Sequence, residues 1–147
     1  KDALNITDFL DTIQLQLKDL EETGRLGHVN GISRIFVNAL KDMDETQRPI
    51  HCTDSKRETL YIKDKDTWTK DNSKARLKSA IETVADRNLD QIPQWRDENP
   101  RCQIMDSKEN ALLSEMTLNS IGQLDEEGEK DKEKIVKKII KEVVIDK

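Results

Sequence analysis

Apolar residues near the start of the chain recur at alternating steps of four and three positions. They are Ile6, Leu10, Ile13, Leu17 and Leu20. This spacing is typical of a heptad seam on one amphipathic, coiled-coil-like helix, which we place at residues 1–23. Two copies of such a helix bury their stripes against one another, so we predict that these residues form an oligomer seam. The alternative is that the stripe packs on the chain's own domain.

A second strong apolar stripe lies near the end of the chain. It consists of Ile135, Val136, Ile139, Ile140, Val143 and Val144, with lysines on the outer face. β-branched residues make a poor isolated helix, so the stripe must be buried on this domain or on another copy. We therefore add Ile135, Ile139 and Val143 to the predicted oligomer interface. Residues 124–134 carry many charges and few apolar side chains, which predicts a flexible linker.

The middle of the chain combines helical stripes with one β-like region. Residues 32–43, 77–84 and 112–118 repeat apolar side chains at helical spacing, with Ser107 at the start of the last helix. Residues 50–71 are rich in β-branched and aromatic residues, with charged residues and turns between them. A sheet this small is marginally stable in water, so we expect it to pack on the flanking helices.

These elements predict the α+β fold class, as a mostly helical domain with one small β-hairpin or three-stranded meander. The predicted segments are an amphipathic helix at 1–23, a helical domain at 24–124 with the hairpin at about 50–71, and a charged linker with a C-terminal amphipathic helix at 125–147. Leu, Ile, Val and Phe make up about a quarter of the chain, slightly above the level of roughly a fifth at which disorder is expected. The predicted core is therefore thin. No apolar run is long enough for a transmembrane helix, so we expect no membrane partner.

Charge favours at most a local nucleic-acid site. The net charge is −5, and charged residues make up 37% of the chain, yet residues 54–78 carry eight Lys or Arg against five acids. Phosphate contacts dominate nucleic-acid affinity, and Tyr61 or Trp68 is available to stack on a base. A helix followed by a basic β-wing is also the outline of a winged-helix-like domain. The candidate nucleic-acid-binding residues are Lys56, Arg57, Lys63, Lys65, Lys70 and Lys74. The alternative is that alternating Lys and Asp residues only solvate a sheet edge.

The chain also contains the residue types of a zinc site and of a metal-dependent nuclease. His28, His51, Cys52 and Cys102 equal a zinc ligand set in number, but adjacent strand residues such as His51 and Cys52 point to opposite faces. We therefore predict no metal site, and a Cys52–Cys102 disulfide is an alternative only for an oxidising compartment. Asp54, Glu58, Asp64 and Lys63 are the residue types of a metal-dependent nuclease, our last-ranked function. Because such clusters arise freely in so charged a chain, we predict no enzyme, no cofactor and no small-molecule substrate.

Several strings of residues carry a resemblance to a known family. They are RPIHCTD at 48–54, KRE at 56–58, LYIKD at 60–64 followed by Trp68, QIPQW at 91–95 and EVVIDK at 142–147. Together they resemble an uncharacterised domain near the C-terminus of many proteins of large nucleocytoplasmic DNA viruses, of the mimivirus and phycodnavirus kind. The resemblance covers nearly the whole chain, and its most specific part is residues 48–64.

The resemblance implies an assembly role rather than a chemical one. In that family the domain often follows a zinc-finger-like segment and a coiled coil, and it has no assigned activity or catalytic residues. The zinc-finger segment is not part of this chain, so zinc and DNA binding do not carry over. The stripe at 1–23 would be the tail of the coiled coil, which implies a homo-oligomer in the viral factory of the host cytoplasm or in the virion. We therefore predict a non-catalytic oligomerisation and interaction module, with the winged-helix-like nucleic-acid binder as the alternative.

Overall fold

The structure, a computed structural model, describes residues 3–54 and 56–145 and has the predicted α+β fold class, with 65% helix and one small antiparallel sheet. Its elements are α1 (Ile6–Thr12), α2 (Leu17–Leu26), α3 (His28–Lys41), β1 (Ile50–Asp54), β2 (Thr59–Asp64), β3 (Thr67–Lys70), α4 (Ala75–Leu89), α5 (Ile92–Glu98), α6 (Lys108–Ile121) and α7 (Asp125–Val143). The parts of the predicted segments that fall on residues 1, 2, 55, 146 and 147 lie outside the described residues. In the described part of the chain, no helix combines the length and the apolar character needed to span a membrane.

Helix α3 lies at the centre of the fold and packs against α2, α4, α6 and α7. Its apolar face is buried because Ile32, Phe36 and Leu40 recur at helical spacing and contact the main core cluster. Phe36 also packs on Phe9 of α1, with 5.5 Å between the ring centroids. The sheet covers the same cluster, so helices and sheet share one core.

A second, smaller core cluster holds the other end of the molecule. Leu20, Trp95, Cys102 and Met116 bring together α2, α5, a short 3₁₀ turn (Pro100–Gln103) and α6. The indole Nε1–H of Trp95 donates a hydrogen bond of 3.0 Å to a carboxylate oxygen of Glu21, so the buried indole keeps a polar partner. Trp95 is thus a core residue of this cluster.

The sheet is an antiparallel meander in the order β1-β2-β3. Lys65 and Asp66 join β2 to β3 with φ values of 49° and 63°, the left-handed conformation that tight two-residue hairpin loops require. The loop is held from outside because the amide of Asp66 donates a hydrogen bond of 2.8 Å to the side chain of Asn5. At the opposite edge, the amide of Ile145 donates a hydrogen bond of 3.0 Å to the carbonyl of Cys52. The C-terminal segment therefore covers the edge of β1.

The predicted oligomer seam does not form, because its stripe is not one helix. Helix α1 ends at Thr12, and α2 begins at Leu17 after a non-helical connection. The break is stabilised by a capping box in which the side chains of Gln16 and Asp19 bond each other's backbone amides. Ile6 and Leu10 are buried in the main cluster and Leu20 in the second, while Ile13 and Leu17 are partly buried against them. The regular spacing arises from two short helices that each pack inward.

The C-terminal part of the interface prediction is also wrong. Ile135, Ile139 and Val143 are at most 3% exposed and contact the chain's own core. The predicted linker at 125–134 is the first half of α7, whose first turn carries acidic residues that suit the positive end of the helix dipole. Lys132 pairs with Glu82 of α4 at 2.6 Å, which fixes this charged half against its neighbour. The main cluster thus draws residues from all three predicted segments.

Candidate nucleic-acid interface

The sheet has one buried face and one face that points away from the core. Ile50, Cys52, Leu60 and Ile62 are fully buried on the inner face. Strand alternation places the intervening residues on the other face, which we call the outer face. Its side chains are His51, Thr53, Tyr61, Lys63, Trp68 and Lys70. The residues that sequence analysis proposed for stacking, Tyr61 and Trp68, therefore lie on the same side of the sheet.

Aromatic and imidazole rings meet on the outer face. His51 is the direct cross-strand partner of Tyr61, and Trp68 lies opposite Lys63. The Trp68 indole reaches across the sheet and stacks on His51, with 4.7 Å between ring centroids and 19° between the planes. The rings are partly exposed, so this face presents π-surface to solvent.

A groove, here called the aromatic groove, runs beside these rings. Its volume is about 300 Å³, near the lower end of the range for small-ligand sites. It is lined by Ala3, Thr46, His51, Thr53, Tyr61, Trp68 and Ile145. The walls therefore come from both ends of the described chain, and the rings of β1, β2 and β3 form the floor. These dimensions suit a flat ring better than a folded macromolecular surface.

A second depression, of about 240 Å³, includes Lys70, the cross-strand partner of Tyr61 in the aromatic groove. Arg57, Lys70 and Lys74 line it together with two acids, Glu58 and Asp71, and we call it the basic cleft. The remaining lining residues are Thr59, Leu60 and Asn72. The structure thus brings together three of the six basic residues that the sequence indicated for nucleic-acid binding.

Asp71 and Asp54 are both engaged by the backbone. The buried carboxylate of Asp71 accepts hydrogen bonds from the amides of Arg76 and Leu77, at 3.3 and 3.0 Å, and so holds the start of α4. Asp54 accepts two more from the amides that follow β1, those of Lys56 and Arg57, at 3.0 and 3.3 Å. These bonds hold the two acids in structural roles. The Arg57 side chain is 86% exposed, and its Nε lies 3.8 Å from the Asp54 carboxylate.

Lys63 was predicted to contact nucleic acid, and this prediction is wrong. Lys63 is a buried residue, 8% exposed, and its ammonium group donates a hydrogen bond of 2.7 Å to the carbonyl of Ala3. The chain before α1 crosses this end of the outer face, and the amide of Leu4 donates to the carbonyl of Gln47 at 2.9 Å. Lys63 therefore fixes that crossing segment and cannot reach a phosphate.

The remaining predicted basic residues stand at the margins. Lys56 and Lys65 are exposed in the two hairpin loops, outside the lining of both depressions. Two further lysine and arginine positions of the same stretch already have acidic partners. Arg76 lies 3.6 Å from Asp64, and Lys78 lies 3.1 Å from Glu129 of α7.

The candidate metal ligands and nuclease residues are dispersed. Cys52 faces the core while its neighbour His51 faces outward, and Cys102 belongs to the second cluster. The Nδ1 atom of His28 forms a hydrogen bond of 2.8 Å with the carbonyl of Asn119. Within residues 3–54 and 56–145, no three His, Cys, Asp or Glu side chains are close enough together to hold a metal ion, and both cysteines are free thiols.

His51 and Thr53 lie on this surface although the sequence did not indicate them as site residues. The signal was present, because His51 is two positions before Thr53 and alternates with the apolar residues Ile50 and Cys52. The walls at Ala3 and Ile145 had no such signal, since they depend on where the two chain ends lie in space.

Comparison of the chain with family models, with curated proteins and with solved structures found no match.

Proposed function

We propose that this chain is a non-catalytic binding module for single-stranded nucleic acid, and that the outer face of the sheet is its binding surface. The observation that carries the proposal is the cross-strand pairing of one residue from a stacking surface with one from a cationic surface. Tyr61 of the aromatic groove and Lys70 of the basic cleft are cross-strand partners. Proteins that bind single strands combine these two elements, aromatic platforms for bases and positive grooves for the backbone.

Each of the two depressions would bind a different part of a nucleotide. In this proposal a base enters the aromatic groove and stacks against Tyr61 or Trp68, while an adjacent phosphate is held by Lys70, Arg57 and Lys74. The cleft has three basic side chains and two acids, one of them bonded to the backbone, so it attracts an anion although the whole chain is acidic. Stacking tolerates any base, so we expect little sequence preference.

Single strands fit this surface better than a duplex does. A paired base is covered on both faces by its neighbours and cannot enter a groove, whereas an unpaired base can. In a winged-helix-like protein, a helix next to the wing inserts into the major groove. Here α3, the helix before the sheet, is surrounded by four other helices. We therefore propose that the sheet is the binding surface and that α3 is not.

Fluorescence anisotropy with a labelled oligothymidylate tests the proposal. We expect saturable binding that weakens as salt increases, and weaker binding of the matching duplex. Lys70→Ala should reduce the slope of log affinity against log salt by about 0.7, because one phosphate contact is lost. Lys138→Ala is the matched control, since Lys138 is an exposed lysine on the outer face of α7. Equal losses in both variants, or no binding by the native chain, would contradict the proposal.

The setting of this module follows from the resemblance described above. We propose that it works as an interaction domain of a large-DNA-virus protein, in the viral factory or the virion. Self-association is a second candidate function. The observation that favours it is an exposed apolar surface on α6, which differs from the seam that the sequence indicated.

A further inference from the structure

The exposed large hydrophobic side chains of the described residues all fall within residues 104–124, on α6 and at its two ends. They are Ile104, Met105, Leu112, Leu118, Ile121 and Leu124, with exposed fractions from 43% to 83%. Exposed large apolar side chains that concentrate in one segment of a soluble protein often mark an interface. The proposed nucleic-acid surface lies on the sheet, so α6 calls for a separate explanation.

The outward side of α6 has a regular pattern of small and large residues. Met116 and Ser120 face inward and are buried, whereas Ala111, Ser114 and Leu118 are on the opposite side with Ile121. Steps of three, four and three residues connect the outward four, which is the spacing of a helix-pairing seam. The two small residues occupy the N-terminal half of the seam and the two large ones the C-terminal half.

This order is self-complementary for two antiparallel copies. In an isologous pair, the two-fold axis requires that if residue i faces residue j, then j also faces i. A two-fold axis that passes beside Met116 places Ser114 of one copy opposite Leu118 of the other. The same axis places Ala111 of one copy opposite Ile121 of the other. Every layer then joins a small residue to a large one, as interdigitating helices require. A parallel pair would instead place large on large and small on small.

The helix ends are complementary as well. In the antiparallel arrangement, Leu124 meets the end of the second α6 where Met105 is exposed, so the apolar surface continues beyond the helices. Lys108 begins α6, and Asp125, Glu126 and Glu127 begin α7 directly after it. At each end of the antiparallel pair, the basic start of one α6 and the segment leading to the acidic start of the other copy's α7 therefore have opposite charge.

We propose that the chain forms a symmetric homodimer through antiparallel pairing of α6. Sedimentation velocity or light scattering should give a mass of twice 17.0 kDa at micromolar concentration. Leu118→Asp places a charge in the centre of the seam and should weaken the dimer by more than about tenfold. Leu112→Asp is the matched control, because Leu112 is exposed on a different side of α6 and should leave the mass unchanged. Circular dichroism checks that both variants are folded.

Cysteine cross-linking tests the direction of pairing. A mixture of Ser114→Cys and Leu118→Cys chains should form a mixed disulfide, while each variant alone should cross-link poorly. The native thiols of Cys52 and Cys102 are buried and do not interfere. A monomeric native chain, an equal effect of the two aspartate variants, or better cross-linking of the single variants than of the mixture would overturn the proposal.

Discussion

Tyr61 and Lys70 stand directly opposite one another on β2 and β3, and this pair joins the aromatic groove to the basic cleft. Directly opposed residues have Cβ atoms about 5 Å apart, close to the reach between a base and its own phosphate. A single nucleotide that occupies both depressions therefore contacts both side chains. The two contacts should depend on each other.

A double-mutant cycle measures that dependence. We expect Tyr61→Leu, which keeps an apolar side chain but removes the ring, to weaken oligothymidylate binding by about 1–3 kcal/mol. Combined with Lys70→Ala, it should weaken binding by less than the sum of the single effects, because a base that no longer stacks no longer positions its phosphate. Additivity of the two binding effects would show that the depressions act separately.

Arg48 connects the end of α3, the start of β1 and the end of α7. Its guanidinium donates hydrogen bonds to the carbonyls of Leu40 and Glu142, at 3.1 and 3.0 Å, and to the Glu142 carboxylate at 3.2 Å. We expect Arg48→Ala to lower the free energy of unfolding by about 2–3 kcal/mol, because these partly buried acceptors lose their donor. Urea unfolding measures the change. Arg25→Ala, which breaks the exposed pair with Glu22, should have almost no effect.

Gly31 allows α2 and α3 to approach closely. A Cβ at this position would lie 2.6 Å from the Cα of Thr23, and backbone cannot move aside as a side-chain tip can. Gly31→Ala should therefore lower the free energy of unfolding by about 1–3 kcal/mol despite the better helix propensity of alanine. Asn30→Ala, at the exposed neighbouring position, should change it by less than about 0.5 kcal/mol. Similar effects in both variants would contradict the close approach.

Because of Cys52, we expect the free energy of unfolding to depend on pH in the alkaline range. Burial raises the pKa of its thiol above the ordinary value of 9.0, and a hydrogen bond to the backbone of Asp54 opposes this effect only in part. As pH rises past about 9, the unfolded chain releases this proton while the folded chain keeps it, so stability falls. For the native chain, the urea concentration at the unfolding midpoint should be lower above this pH than below it. The difference should be smaller for Cys52→Ala. Identical pH slopes would contradict the account.

The sequence predicted elements whose signals are local. The apolar face of α3, the meander at 50–71 and the start of α6 all follow from spacing or turn chemistry within a few residues. At Ser107, for example, the side chain accepts a hydrogen bond from the amide of Asn110 at 2.9 Å, as a helix cap does. Tyr61 and Trp68 were identified from local sequence as well, because they are aromatic residues within a basic stretch.

The wrong predictions concern features that depend on distant parts of the chain. The apolar spacing from Ile6 to Leu20 continues across a helix break, so it could not reveal that α1 ends at Thr12 and that Gln16 and Asp19 begin a new helix. The charged half of α7 has no apolar signal and is held by α4 through pairs such as Lys132–Glu82. Lys63 looked available because nothing in its own strand indicates that Ala3 covers it.

The indole signals of the two tryptophans provide the most direct test of the proposed binding surface. Trp68 lies in the aromatic groove, whereas Trp95 is 1% exposed in the second core cluster and serves as an internal control. In a ¹H–¹⁵N correlation spectrum, titration with oligothymidylate should shift the Trp68 indole signal in a saturable way and leave that of Trp95 in place. A bound oligonucleotide that leaves the Trp68 signal unchanged would contradict the account.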